Sequence, residues 1–224
     1  MIVAMQKELD CLKSILSDIE TLSYGNFKYT VGQMGSCKLV LHQCGMGKVN
    51  AAVGASELVH RFNPDCIISS GVAGGLCPEA GIMHVVAAES VVYHDLFTGA
   101  AAEDNLGRPI PCDSQLVDIA RKLSLTSVTP IHIGQISTGD QFVTDRPKLE
   151  DIKRRYPDAL AVDMESCAIA HACQIYGVPF ISFRIISDTI GAEKHVEEYM
   201  NFWSDMASKS FGVVKEYLER IEGY

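Results

Sequence analysis

The sequence predicts an α/β fold, and three observations carry the prediction. Short runs rich in β-branched residues alternate with longer segments whose apolar residues recur at helical spacing. Glycine-rich or acidic residues stand directly after several of the apolar runs, where open α/β sheets keep their ligand-binding residues. Finally, 224 residues, 47% of them apolar, suffice to bury one sizeable core. One domain over residues 1–224 is expected, because no repeat, low-complexity tract or linker divides the chain.

Residues 1–5 read as a first strand of minimal length. FKYTVGQMGSCKLVLHQC, residues 27–44, reads as a hairpin with Gly35 and Ser36 at its turn, and it delivers the chain to Gly45-Met46-Gly47-Lys48. Apolar residues at 51, 52, 55, 58, 59 and 62 then mark a helix that Asn63-Pro64-Asp65 stops. CIISS is a buried strand running into GVAGGL. Further strands are expected in MHVVAAESVVYH, VTPIHIGQIS and VPFISFRIIS, with helices over 114–123, 147–156, 164–176 and 199–221. Residues 96–112, rich in Gly, Ala and Pro, read as a surface loop.

Nineteen basic against twenty-eight acidic residues give a formal charge of −9, and no Lys/Arg block offers a phosphate footprint. Nucleic acid is therefore not an expected partner. The N-terminal residues lack the pattern of a signal peptide, and no apolar run reaches the roughly 20 residues that span a bilayer. A cytoplasmic protein without membrane contact is expected. The eight cysteines are scattered without a CxxC pair or a Cys/His cluster, so they read as reduced core residues, with no metal site.

Five places put polar residues after apolar runs: Met5-Gln6-Lys7-Glu8, Ser70 to Gly75, Ser137 to Phe142, Asp163-Met164-Glu165, and Ser187-Asp188. SSGVAGG matches neither G-x-G-x-x-G nor G-x-x-x-x-G-K-[ST], so it stands between a tight strand-to-helix turn and a loop whose N–H groups meet a ligand. On its own segment Glu8 reads as an acid in a solvated first helical turn. Asp188, leaving an apolar strand that carries Arg184, suits either proton chemistry or a helix N-cap. Tyr93-His94-Asp95 lacks a second ligand at metal spacing and reads as a polar strand end. Asp163 and Glu165 share a strand-to-helix corner, where a helix N-terminus favours negative charge, and two acids exceed what one cap requires.

The ordered set AMQKELD, GMGKVNAAVGAS, NPDCIISSGVAGGL, YHD, STGDQFV, AVDMESCAIAHAC and GVPFISFRIISD resembles the bacterial 5'-methylthioadenosine/S-adenosylhomocysteine nucleosidases, of the nucleoside phosphorylase superfamily. The resemblance covers nearly the whole chain. It implies a three-layer α/β/α sandwich around a mixed, partly barrel-like sheet, a homodimer, no cofactor, and hydrolysis of the N-glycosidic bond of an adenine thionucleoside. By the same resemblance Glu8 would activate the water and Asp188 would protonate the purine's imidazole ring. Glu165 would hold the ribose hydroxyls, helped by the Met164 backbone. Phe142 would stack on adenine, and the Val143 backbone would read its edge. Ser187 would support Asp188, and Arg184 would order the water site. Met5, Met46 and Tyr199 would line the ribose and the alkylthio tail, and Val72, Ala73 and Gly74 would border the site, with Val72 standing where many members carry Ser or Thr. Asp163 is expected to be a structural acid.

These roles fit the chemistry. Adenine leaves poorly as an anion, so a positioned acid contributes roughly 10²- to 10⁴-fold, and Asp188 has to hold a proton to supply it. As the bond loosens, the sugar becomes cationic and nearby carboxylates stabilise it. The phosphorylases of the superfamily carry a Gly-Asp-Pro type turn and several phosphate-binding arginines. This chain has MQKE after its first strand, and an acid there suits water rather than phosphate. A futalosine or aminodeoxyfutalosine hydrolase, a purine nucleoside phosphorylase, and a silent nucleoside-binding or storage relative are the alternatives.

Overall fold

The computed structural model describes residues 1–97, 107–189, 200, 202–203 and 211–221. In chain order the elements are β1 (Ile2–Val3), α1 (Gln6–Lys13), β2 (Ser17–Tyr24), β3 (Phe27–Met34), β4 (Cys37–Gln43), α2 (Lys48–Phe62), β5 (Ile67–Gly75), β6 (Val85–Tyr93), β7 (Ile110–Pro111), α3 (Ser114–Ser124), β8 (Ile131–Thr138), α4 (Arg146–Arg155), β9 (Ala159–Asp163), α5 (Ser166–Tyr176), β10 (Phe180–Thr189) and α6 (Gly212–Leu218).

The strands form one mixed sheet in the order β10-β6-β8-β9-β5-β1-β4-β3-β2, with β7 beside β6. Because β10 pairs with β5 as well as with β6, five strands close into a ring and β1 to β4 extend from it as a wing. The α/β class and the partly barrel-like sheet are thus as expected. Ring strands bury nearly every side chain, as the runs Val85–Ala88 and Phe183, Ile185, Ile186 show. Helix ends follow local rules. Asp113 caps α3 by accepting the N–H groups of Gln115 and Leu116 at 3.0 and 3.1 Å, and α2 and α5 stop where Asn63 and Gly177 turn left-handed.

Several boundaries differ from the sequence expectation. β1 spans two residues, because the Ala4 and Met5 N–H groups bond to Glu8 instead of a neighbouring strand. β2 was not foreseen: SDIETLSY lies at the sheet's edge with both faces exposed, so it has no apolar alternation. SSGVAGG is not a turn into a helix, since β5 continues to Gly75, paired along its length with β10 and at Gly74 and Gly75 with β9. α5 starts at Ser166 rather than Met164. Within the expected loop over 96–112, Ile110 and Pro111 pair with β6, and residues 98–106 lie outside the described residues. Much of the helix expected over 199–221 also lies outside them; α6 falls within that range. All eight cysteines are free, but only Cys112, Cys167 and Cys173 are fully buried. No helix among the described residues is long and apolar enough to cross a membrane.

Candidate active site

A cleft of about 580 Å³ opens at the carboxyl ends of β1, β5, β9 and β10. Its walls come from six parts of the chain that are distant in sequence. The β1–α1 corner brings Met5 and Glu8, and the loop before α2 brings Met46. β5 contributes Val72, Ala73 and Gly74, and the loop after β8 contributes Phe142 and Val143. Met164 and Glu165 come from the β9–α5 corner, Ser187 and Asp188 from β10.

Glu8 is the third residue of α1 and reaches back to the helix start, where its Oε2 accepts the Ala4 and Met5 N–H groups, each at 2.9 Å. Its Oε1 accepts the Val72 N–H at 3.1 Å, across from β5. The expected solvated position is therefore wrong. Glu8 is 1% exposed, its carboxylate lying against β5 at Gly71 and Val72. Burial raises its pKa, while the Arg184 charge and the three N–H bonds oppose that rise. A buried carboxylate held by backbone donors, with its affinity for a proton increased, is suited to accept one from water.

Gly71 makes this placement possible. A Cβ there would stand 2.8 Å from Glu8 Oε1 and 3.3 Å from Arg184 Nη1, so no larger residue fits without moving one of them.

The two acids of the β9–α5 corner have separate surroundings. Asp163 Oδ2 accepts the Ser166 N–H at 3.0 Å, the Ser166 hydroxyl, and Arg184 Nε at 2.7 Å, while Oδ1 accepts the Thr138 hydroxyl at 2.6 Å. Asp163 thus serves the helix start and the buried cation. Glu165 occupies the N-cap position of α5 yet makes no capping bond with its side chain. Its Oε1 instead accepts the Gly47 N–H at 2.9 Å, and its Oε2 lies 3.8 Å from Arg184 Nη2. Burial, then the Asp163 charge, raises the Glu165 pKa against the pull of Arg184 and the Gly47 bond.

Asp188 lies inside β10, opposite Gly74, and not at a helix start; it is 2% exposed, and the Ser187 hydroxyl donates to its Oδ1 at 2.7 Å. Phe142 is half-exposed at the cleft wall, whereas Val143 is buried. Arg184 does not line the cleft. It lies behind it, 2% exposed, bonded to Asp163 and to the Ser69 hydroxyl at 3.1 Å. Tyr199 lies outside the described residues.

Some contributors were not foreseen. Ala4 and Val162 also border the cleft, as do Gln141 and Asp163 from two of the polar segments singled out in the sequence. Gly47 adopts φ 91°, open to glycine, and so aims its N–H at Glu165. The signal was the glycine pair around Met46 just before a helix. At the rim, Lys48 Nζ donates to both Asp95 oxygens at 2.7 and 2.8 Å, and Asp95 also accepts the Asp140 N–H at 2.8 Å. The end of β6 is thus a polar strand end that ties together the loops carrying Met46 and Phe142. No group of three or more metal-ligating side chains is present among the described residues.

Comparison with known proteins identifies the family. The family model described as the phosphorylase superfamily matches residues 1–219. A 5'-methylthioadenosine/S-adenosylhomocysteine nucleosidase of Desulfotalea psychrophila is 32% identical over 226 residues, covering 99% of this chain and 97% of the relative. The crystal structure of the enzyme of that name from Neisseria meningitidis, in complex with methylthio-immucillin-A, superposes with a TM-score of 0.90 at 29% identity, covering 98% of this chain and 97% of the other. A futalosine hydrolase of Helicobacter pylori strain 26695 superposes with a TM-score of 0.89 at 25% identity, covering 98% and 96%.

Proposed function

The chain belongs to the phosphorylase superfamily, among its 5'-methylthioadenosine/S-adenosylhomocysteine nucleosidases, and from that membership we propose that it hydrolyses the N-glycosidic bond of methylthioadenosine and adenosylhomocysteine, releasing adenine and the thioribose product. The observation that carries the reading is the convergence of Glu8, Glu165 and Asp188 on one cleft from three distant parts of the chain. Phe142 and the Val143 backbone hold adenine, and the ribose hydroxyls donate to Glu165. Asp188 delivers its proton to the imidazole ring of the purine as the bond between sugar and base breaks, and the bonding pair leaves with the base. Water adds to the anomeric carbon and gives its proton to Glu8. Both acids are regenerated when Glu8 returns a proton to solvent and Asp188 takes one up. Glu165, close to the sugar, gains attraction as positive charge develops there.

Water is favoured over phosphate because no arginine lines the cleft among the described residues and Glu8 would repel an anion. Incubation with methylthioadenosine, adenosylhomocysteine, aminodeoxyfutalosine and inosine, with and without phosphate, tests the reading. Adenine release from the first two without phosphate is expected. Base release that requires phosphate makes the protein a phosphorylase, and tight adenine binding without turnover makes it a silent binding protein. A preference for aminodeoxyfutalosine is the second outcome that the likeness to futalosine hydrolase supports.

We also propose a cytoplasmic homodimer of single-domain subunits. α2 presents Val49 and Val53, 73% and 46% exposed, one helical turn apart on its outer face. Apolar residues left in water at that level suit a second subunit. Light scattering at micromolar concentration should return twice the monomer mass.

A further inference from the structure

We propose that Asp163 is a positioning residue: it occupies the hydrogen-bonding edge of Arg184, so that Arg184 acts on Glu8 and Glu165 through its charge while their oxygens stay available to water and sugar. What those oxygens bind rests on the nucleosidase reading above. The cleft and the layer behind it gather four acids, Glu8, Asp163, Glu165 and Asp188, and one permanent cation, Arg184, none more than 7% exposed. A guanidinium in such company closes bidentately on a carboxylate wherever it can. Here it does so on neither working acid. Its Nε bonds to Asp163 at 2.7 Å, its Nη1 bonds to Ser69 at 3.1 Å, and its Nη2 stops 3.8 Å from Glu165, beyond hydrogen-bond length.

Asp163 can hold this position because it is held itself, by Thr138, by the Ser166 N–H and by the Ser166 hydroxyl, which also contacts the Ser182 hydroxyl at 2.7 Å. The charged and titratable groups around the cluster come from every neighbouring element. Glu8 comes from α1, Cys44 from the end of β4, and Glu165 from the β9–α5 corner, while Asp188 shares β10 with Arg184. The Asp163 charge also reaches His94 after β6 and Cys167 of α5. Loss of the Asp163 charge removes one anion beside Glu165 and frees a cation to pair with it, and both changes favour ionised Glu165.

The test is Asp163→Asn, with Glu165 titrated by NMR in ligand-free protein carrying ¹³C-labelled glutamate carboxyls, and with Glu165→Gln used to assign the signal. We expect the Glu165 midpoint to fall by about one pH unit. The acid limb of kcat/KM for adenine release should move the same way, and KM should rise about tenfold as Arg184 closes on the sugar-binding acid. Asp163→Glu keeps the charge and should leave the midpoint within about 0.3 units, so it decides the matter if the asparagine variant does not fold. An unmoved midpoint in Asp163→Asn, or a fall of about one unit in Asp163→Glu, overturns the proposal. A wild-type protein that releases no adenine defeats the nucleosidase reading instead, and the titration still decides the role of Asp163.

Discussion

Replacing Gly71 with alanine probes how closely Glu8 is held. The new Cβ would lie 2.8 Å from Glu8 Oε1 and 3.4 Å from Cδ, and ordinary contact requires the oxygen to retreat by about 0.6 Å. The Val72 N–H bond at 3.1 Å is the first to be lost, while the Ala4 and Met5 bonds hold the other oxygen. Since a misplacement of about 1 Å costs on the order of 10²-fold, kcat for adenine release should fall about 10- to 50-fold. KM should change much less, because the groups proposed to hold adenine and ribose lie elsewhere. Overpacking by one methyl group should cost about 1–3 kcal/mol, and at this chain length each kcal/mol lowers Tm by about 2–4 °C. Gly71 is in β5 without a positive φ, so alanine meets no backbone strain there. Glu8→Ala removes the shorter of the two close contacts, so Gly71→Ala should lower Tm much less in that background than in wild type, as a thermodynamic cycle would reveal. A Gly71→Ala enzyme with kcat within about twofold of wild type would refute the reasoning.

Asp188→Asn should lower adenine release by at least about 10²-fold with little change in Tm, since the amide keeps its place beside Ser187 but delivers no proton; near-normal turnover would take Asp188 out of the mechanism. Glu8→Gln should be inactive yet bind nucleoside in calorimetry, and absent binding would assign Glu8 a structural role. Glu165 has a raised pKa in the folded protein, so over the interval above its unfolded value the native state binds the extra proton and stability falls as pH rises. Glu165→Gln removes that penalty, so its Tm relative to wild type should be higher at pH 8 than at pH 5, by the equivalent of on the order of 1 kcal/mol; thermal melts at both pH values check the sign. Gly47→Ala, at φ 91° and with its Cβ 3.0 Å from Asp140 Oδ1, should cost about 1–3 kcal/mol of stability and weaken nucleoside binding by displacing the N–H that holds Glu165.

The β3–β4 hairpin, α2 and the buried runs of β6, β8 and β10 were legible because their periodicity is local. β2 was not, since an exposed edge strand owes its conformation to its partner rather than to its own pattern. β5 beyond Ser70 was obscured by its glycines, of which Gly71 admits Glu8 and Arg184 and Gly75 lies against the Ala80 carbonyl and Ile186. Glu8 shows the same limit at the site. Its own segment is polar, and its burial depends on Val72, 64 positions away. The partner of Glu165 is 118 positions away, and nothing near residue 165 points to Gly47. The family resemblance brought Glu8, Glu165 and Asp188 together where local reading did not. It also gave Arg184 a part in ordering the water site, and the structure sets its guanidinium behind the cleft wall, against Asp163 and near Glu8.

The exposed strand β2 bears on how the protein behaves in a crowded solution. The ring satisfies its own strands on both sides, so the wing ends in a row of backbone groups at β2 that a second chain could extend into a fibril. Asp18 and Glu20 put charge on that strand. Asp18 turns left-handed at φ 51°, and the pairing with β3 slips between Ser17 and Glu20, which bends the strand where a flat template would be needed. The polarity that hid β2 from pattern reading is thus the property that blunts this edge against strand-to-strand addition.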